Sequence, residues 1–351
     1  MSAAEALPLP EPPSQLTNQN PTIQQETVDC LHCGGHEFET VIIASDPITG
    51  LGGNFRLVRC RDCDLAFTNP RPTPASIGTF YPDDYQPYVA RGWDESGRAK
   101  FHRAMERAVL QCKFGYPGPS ITFKTRLLAA LGQWRIRRSR QRQSWIPFRE
   151  PGRLLDFGCG AGMFLQEMRE FGWSVEGLDF SEPVAKQVEQ TTGIKIHVGT
   201  LPHSELAEES FDAVTMWNSL EHVYNPRETV RHANRILRPG GVLVIGVPNF
   251  DSWGFRTFQQ DWHGLELPRH LTHFTPQTLT ATLEAEGYRV LSVDQIARVG
   301  WVRRSARNAL KNGRGAKKLK WLRWKPVGIR VADWTERTGQ ADFIRAVAEK
   351  V

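Results

Sequence analysis

Apolar and polar residues alternate along this chain on two different rhythms. From Pro151 onward, short apolar runs alternate with helix-length amphipathic stretches, the pattern of βαβ units feeding a parallel sheet. It predicts strands over 153–157, 174–179, 194–198, 211–217, 242–247, 289–297 and 341–348. Helices fit between them over 163–171, 183–192, 226–237 and 276–287, the last with Thr275 as N-cap ahead of Pro276. Seven strands joined by right-handed crossovers make one doubly wound, mostly parallel α/β sheet with helices on both faces. No internal repeat is visible.

Ahead of Pro151 the rhythm is broken. Residues 1–28, rich in Pro, Ser, Thr, Gln and Asn, read as a disordered tail. Residues 29–90 are punctuated by Gly and Pro and hold four of the six cysteines, which suggests a small separate unit. Residues 91–150 form a basic helical linker, and 151–351 the α/β domain with a basic insertion at about 299–332.

With 40% hydrophobic and 23% charged residues among 351, collagen, coiled coil and a wholly disordered chain are excluded. No uninterrupted apolar run reaches 18 residues, and the first thirty lack the basic and apolar regions of a signal peptide, so a cytoplasmic protein is expected.

The segment Leu154-Leu155-Asp156-Phe157-Gly158-Cys159-Gly160-Ala161-Gly162 runs from a strand directly into a helix. Glycines at 158, 160 and 162 allow a tight turn and close backbone approach to a ligand, with a helix N-terminus behind them. Asp179, 21 residues after Gly158 at the end of the next strand, can accept hydrogen bonds from a ribose diol. A dinucleotide cradle would place its last glycine where Met163 stands, and the acid two residues before the first glycine, Asp156, suits a cationic ligand.

These residues resemble the first motif of class I S-adenosylmethionine-dependent methyltransferases, a Rossmann-like fold. Phe211-Asp212-Ala213-Val214, then Trp217-Asn218-Ser219-Leu220-Glu221-His222-Val223, are similar to that family's fourth strand and following loop, and Leu237-Arg238-Pro239-Gly240-Gly241 to the turn before its fifth strand. The resemblance covers roughly 151–351. It implies that Asp156, Gly158, Cys159, Gly160 and Gly162 surround the methionine portion of the cofactor, that Asp179 holds the ribose and that Phe180 flanks the adenine. Many relatives place an Asp near the adenine amine after the third strand; here Thr200 and Leu201 would serve by hydroxyl or backbone, and Trp217 would border the same site.

Cys30-x-x-Cys33 and Cys60-x-x-Cys63 are two knuckles 26 residues apart, a spacing that can close a tetrahedral structural Zn2+ site. A redox dithiol pair is the alternative. Together with Asn69-Pro70-Arg71-Pro72 and Phe80-Tyr81-Pro82-x-x-Tyr85, this region resembles the N-terminal zinc ribbon of a bacterial methyltransferase subgroup that includes sugar C-methyltransferases. By that likeness Tyr81 and Tyr85 cover the active-site mouth; simple aromatic packing is the other reading.

Methyl transfer from a sulfonium needs alignment and a proton acceptor. His222, oriented by Glu221, is the expected base. The same loop is similar to that of ubiquinone-pathway O-methyltransferases, where acids and a histidine bind a divalent metal, but Asn218 stands where a third acid is wanted. In the histidine-rich segment 262–274, His270 ranks above His273 and His263 as a substrate contact.

The 44 Lys+Arg and 38 Asp+Glu are unevenly spread: residues 107–149 hold ten basic residues and no acid, and 295–332 hold twelve and no acid. Phe123, Leu127, Leu131 and Trp134 form one face of an amphipathic helix, with Arg135, Arg138 and Arg142 around it. Tryptophans and cations of this kind suit an anionic membrane surface at the inner face of the membrane, packing on the protein body, or, less favoured, nucleic acid. The reading reached is a methyltransferase acting on a small-molecule, sugar-nucleotide, or glycan- or lipid-linked acceptor. The rivals are an RNA methyltransferase and a non-catalytic membrane- or RNA-binding protein with a vestigial cofactor fold.

Overall fold

The computed structural model describes residues 23–82, 96–139, 146–150, 152–314 and 317–351. Of the expected disordered tail 1–28, residues 1–22 lie outside these residues, as do Tyr85, Arg142 and the side chains of Trp134, Arg135 and Arg138, while Gln25–Glu26 form a strand paired with Arg71–Pro72 and are not disordered.

Five strands precede residue 73: β1 (Gln25–Glu26), β2 (Phe38–Ser45), β3 (Asn54–Cys60), β4 (Ala66–Thr68) and β5 (Arg71–Pro72). The α/β portion follows with β6 (Arg153–Phe157), β7 (Ser174–Asp179), β8 (Ile196–Val198), β9 (Phe211–Trp217), β10 (Leu237–Pro248), β11 (Thr272–His273), β12 (Tyr288–Ile296) and β13 (Phe343–Lys350). The strand order β12-β13-β10-β9-β6-β7-β8 makes the expected seven-stranded sheet. Its pairs are parallel from β8 to β10, and β13 runs antiparallel to both of its neighbours. The last connection is therefore not a crossover. Ile296 pairs with Phe343, so the whole excursion between β12 and β13 leaves and returns at one edge of the sheet. β10 is longer than expected because Leu237 already pairs with Phe211 across an irregularity that the Pro239-Gly240-Gly241 turn makes.

Alternation along the strands divides the core in two. Leu155, Phe157, Val214, Met216, Leu243 and Ile245 bury one face with helices Pro226–Ile236 and Pro276–Ala285. Leu154, Ala213, Val242 and Val244 bury the other with helices Gly97–Phe114, Met163–Glu170 and Glu182–Thr192. Part of the basic insertion is packed: helix Val299–Lys311 buries Val302, Ala306 and Ala309, and Arg314 pairs with buried Asp261, whereas Trp321 and Trp324 are exposed.

The cysteine region has no core of its own. Cys30, Val58, Cys60, Leu65 and Phe67 belong to the same apolar cluster as Leu155 and Phe157 of the large sheet. A second sheet, in the order β11-β4-β3-β2, takes its edge strand from residues 272–273. The described residues 29–82 are thus built into the α/β body, because three short strands leave too little apolar surface to bury alone.

One ion pair locks this junction. The Arg269 guanidinium, fully buried, donates to Asp46 Oδ1 at 2.7 Å and to the Phe80 carbonyl at 3.0 Å. Asp46 also caps its own turn, accepting from the Ile48 and Thr49 amides at 2.9 and 3.0 Å. Removing one member of a buried pair leaves an uncompensated charge, typically at a cost of about 3–5 kcal/mol. Asp46→Ala is therefore expected to lower unfolding stability by roughly that amount in urea titrations, and an Asp46→Ala/Arg269→Met double variant to lose clearly less than the two single changes summed.

Candidate active site

Four strands of the large sheet deliver their carboxyl ends to one cavity of about 490 Å³. Its floor is the turn after β6. Gly158 adopts φ +72° and Gly162 +71°, in the left-handed region that favours glycine. A Cβ on Gly158 would come within 2.6 Å of the Ser219 side chain, and one on Gly162 within 2.6 Å of Val188. The first glycine opens the turn to the cavity, and the third lets the following helix close on its neighbour.

Asp179 joins that turn to the next strand. Its carboxylate accepts from the Gly160 amide at 2.9 Å and from the Ser181 amide at 3.0 Å. Burial raises its pKa, opposed by those two amides. Phe180 projects at the rim, edge-on to Tyr81 with ring centroids 5.7 Å apart.

Of the expected residues, Gly158, Gly160, Asp179, Phe180, Thr200, Leu201 and His222 line the cavity, and Tyr81 stands at its mouth. Asp156 does not: its buried carboxylate accepts from Thr215 Oγ1 at 2.6 Å beneath the turn, and burial pushes its pKa up to about 7. Cys159 is buried against Gly177. Trp217 packs edge-on to Phe164 at 5.6 Å and over Gly246, away from the cavity wall.

The loop after β9 separates adjacent side chains. In the tight turn Leu220–His222, successive residues point about 120° apart. His222 reaches the cavity, while Glu221 turns inward, 1% exposed, with neither carboxylate oxygen hydrogen-bonded among the described residues. Burial pushes Glu221 up to about 8. It therefore does not orient His222, whose Nδ1 lies 3.0 Å from the Arg269 carbonyl and 3.0 Å from the Tyr81 hydroxyl. Burial lowers His222 to about 4.

His270 is not on the cavity wall either. Its Nδ1 meets the Gly264 carbonyl at 3.0 Å and its ring backs His222, centroids 4.7 Å apart. His273 is buried behind it, and His263 contacts Arg304. Glu221, His222 and His270 bring one donor atom each within 4.8 Å of one another. A divalent metal does not fit well there. Asn218 supplies an amide where the pattern wants an acid, and two of the three donors lie off the wall that an acceptor would touch.

Ile77 and Gly78 also line the cavity, and nothing local in the sequence marks them. Tyr224, Asn225, Glu228 and Thr229 line it as well. Their signal was present: Asn225-Pro226 is a helix start directly after the His222 loop, and Asn225 does cap that helix at the Glu228 amide.

The four cysteine thiols lie within 4.8 Å of one another, with Cys30 to Cys63 at 3.4 Å and Cys33 to Cys60 at 3.6 Å. Four sulfurs at 2.3 Å from a tetrahedral ion would be about 3.8 Å apart, close to these spacings, so the four thiols are near enough together to serve as one zinc site.

The family model for the methyltransferase domain matches residues 130–293. A ubiquinone biosynthesis O-methyltransferase of Bordetella avium is 30% identical over 164 residues, an alignment covering 42% of this chain and 68% of that protein. The chain belongs to the S-adenosylmethionine-dependent methyltransferases. Another ubiquinone biosynthesis O-methyltransferase, from Dechloromonas aromatica, is 39% identical over 103 residues, 28% of this chain and 44% of that relative. The match thus spans less than half the length of that protein. Among solved structures, an S-adenosylmethionine-dependent methyltransferase from Mesorhizobium loti aligns at 21% identity and TM-score 0.40, over 58% of this chain and 94% of its own.

Within this methyltransferase, Asp156 links the site to stability. Its carboxyl holds a proton in the folded state up to about pH 7, whereas in the unfolded chain it ionises near 3.8. The folded state binds more protons across that window, so this group's contribution to stability falls as pH rises from about 4 to 7. Asp156→Asn, which keeps an acceptor for Thr215, is expected to reduce the decline in unfolding free energy over that range, measured by urea titration at successive pH values.

Proposed function

We propose that this methyltransferase methylates a hydroxyl group on an apolar, ring-bearing small molecule. The observation that carries the reading is His222 on the cavity wall, its Nδ1 3.0 Å from the Arg269 carbonyl and 3.0 Å from the Tyr81 hydroxyl. In the tautomer whose Nδ1 donates to that carbonyl, with the Tyr81 oxygen accepting from the same N–H, Nε2 keeps its lone pair. With its pKa held near 4 by burial, the ring is neutral at pH 7 and ready to take a proton from an acceptor hydroxyl. Tyr81, hydrogen-bonded to the same nitrogen and edge-on to Phe180, lines the cavity beside it.

The backbone at Gly158 and Gly160 would hold the methionine end of the cofactor, Asp179 the ribose hydroxyls, and Phe180, Thr200 and Leu201 the adenine. Bound there, S-adenosylmethionine supplies an already activated methyl group. The residues around it contribute alignment and water exclusion. On the acceptor side Ile77, Tyr81, Val223 and Tyr224 offer an apolar and aromatic wall, and no Lys or Arg is among the described lining residues. A sugar nucleotide would want cations for its diphosphate. The names of the curated relatives, ubiquinone biosynthesis O-methyltransferases, support the hydroxylated-ring reading.

The test is transfer of a labelled methyl group to a panel of catechols, phenols and sugar nucleotides. Label on the phenolic compounds is expected, and label on sugar nucleotides alone would overturn the reading. On the true acceptor, His222→Ala should lower kcat by about 10²-fold or more with S-adenosylmethionine affinity kept. The wild-type rate should hold well below pH 6.5 on acidification, since the imidazole protonates only near 4.

We propose further that Cys30, Cys33, Cys60 and Cys63 hold one structural zinc. Four thiolates leave no open coordination position, which supports a structural role. Plasma mass spectrometry should find about one zinc per chain, lost in Cys60→Ser, and chelation should lower the melting temperature; metal-free protein of unchanged stability would contradict this.

A further inference from the structure

The helix Phe123–Ser139 carries its apolar stripe on the wrong side for packing. Phe123 is 83% exposed, Leu127 52% and Leu131 47%, whereas Ala129 and Gly132 are buried. Gly132 faces Met105 and Val109 of helix Gly97–Phe114 so closely that a Cβ would meet the Met105 carbonyl at 2.9 Å. At 100° per residue, Phe123, Leu127 and Leu131 fall within about 80° of one another, roughly 180° from the packed Ala129 and Gly132. Lys124 and Arg126, both exposed, fall on either flank of the stripe. Ile121, 46% exposed, extends the apolar patch at the helix start. Thr122 and Thr125 cap each other's amides there, so the first helical residue, Phe123, is held in place.

An apolar stripe facing outward with a cation on each flank is the cross-section of a helix lying in a membrane interface, apolar residues among the acyl chains and cations at the headgroups. We propose that this helix docks the protein on an anionic lipid surface. Charge selects that occupant. The described residues flanking the stripe, Lys124 and Arg126, are both cations and the sequence from 107 to 149 holds no acid, so a second copy of the same face would bring like charges together, while an anionic bilayer attracts them. Nucleic acid would use the cations but has little use for a leucine stripe, since strand binding rests on aromatic stacking.

The hairpin also sets the orientation. The Phe148 amide bonds to the Phe114 carbonyl, Tyr116 packs on Trp173, and Arg149 pairs with Glu349, all at the amino ends of β6 and β7 and the far end of β13. The cavity opens at the carboxyl ends. Docking by this helix therefore leaves the cavity mouth away from the bilayer plane. The proposal is independent of which acceptor the enzyme takes.

The test is co-sedimentation of the full chain with vesicles of phosphatidylglycerol and phosphatidylcholine, against phosphatidylcholine alone. Binding to the anionic vesicles is expected at low salt and should weaken as salt rises. Phe123→Glu/Leu127→Glu, both exposed positions, should reduce vesicle partitioning at least tenfold while circular dichroism and S-adenosylmethionine affinity stay at wild-type values. Lys124→Gln/Arg126→Gln should weaken binding and flatten its salt dependence. The proposal is overturned if wild type fails to pellet with anionic vesicles, if the Phe123/Leu127 variant binds them equally well, or if that variant instead converts a dimer to a monomer by light scattering.

Discussion

Everything around the catalytic face depends on one arginine with no access to water. Arg269 spends its guanidinium on Asp46 and on the Phe80 carbonyl, and its own carbonyl on the His222 ring. Burying such a charge is costly unless every neighbour is in place. The turn at Asp46, the end of the Phe80 segment and the loop after β9 therefore hold one relative arrangement or none. Tyr81 follows Phe80 directly, so a residue lining the cavity is positioned by the same arginine whose carbonyl meets the ring of the proposed base.

The cysteine region acquires a new meaning in this light. It shares an apolar core with the large sheet, lends Ile77 and Gly78 to the cavity and borrows β11 as its edge strand. The basic hairpin before β6 lies at the opposite edge and shares no lining residue with the cavity. The proposed lipid-docking helix and the cavity thus lie at different ends of the sheet.

The sheet was legible because its strands are apolar on both faces, and the cofactor turn because Gly158 needs a positive φ and Asp179 a defined place at the next strand end. What could not be read locally was direction. Glu221 and His222 are neighbours in sequence, yet the tight turn sends one inward and the other to the cavity. Trp217 ends β9 at the right height but on the wrong face, and pleating alone decides that. His270 was placed in the correct segment and on the correct side, but one step behind the wall. The Asp46–Arg269 pair joins residues 223 positions apart, and no local pattern announces it. The outward stripe on helix Phe123–Ser139 shows the same limit: periodicity reveals that a face is apolar, and only the fold reveals which way the face looks.

The borrowed edge strand has a consequence for how the chain is made. The Thr68 hydroxyl bonds to the His270 carbonyl across 202 residues, and Phe67 pairs with Thr272. During synthesis the first small sheet leaves the ribosome long before its fourth strand exists. Until about residue 274 has emerged, β4 presents an unpaired edge and Asp46 waits without its arginine. The two cysteine knuckles are complete by residue 63, so the proposed zinc, once bound, would tie that early segment together before Arg269 and β11 arrive.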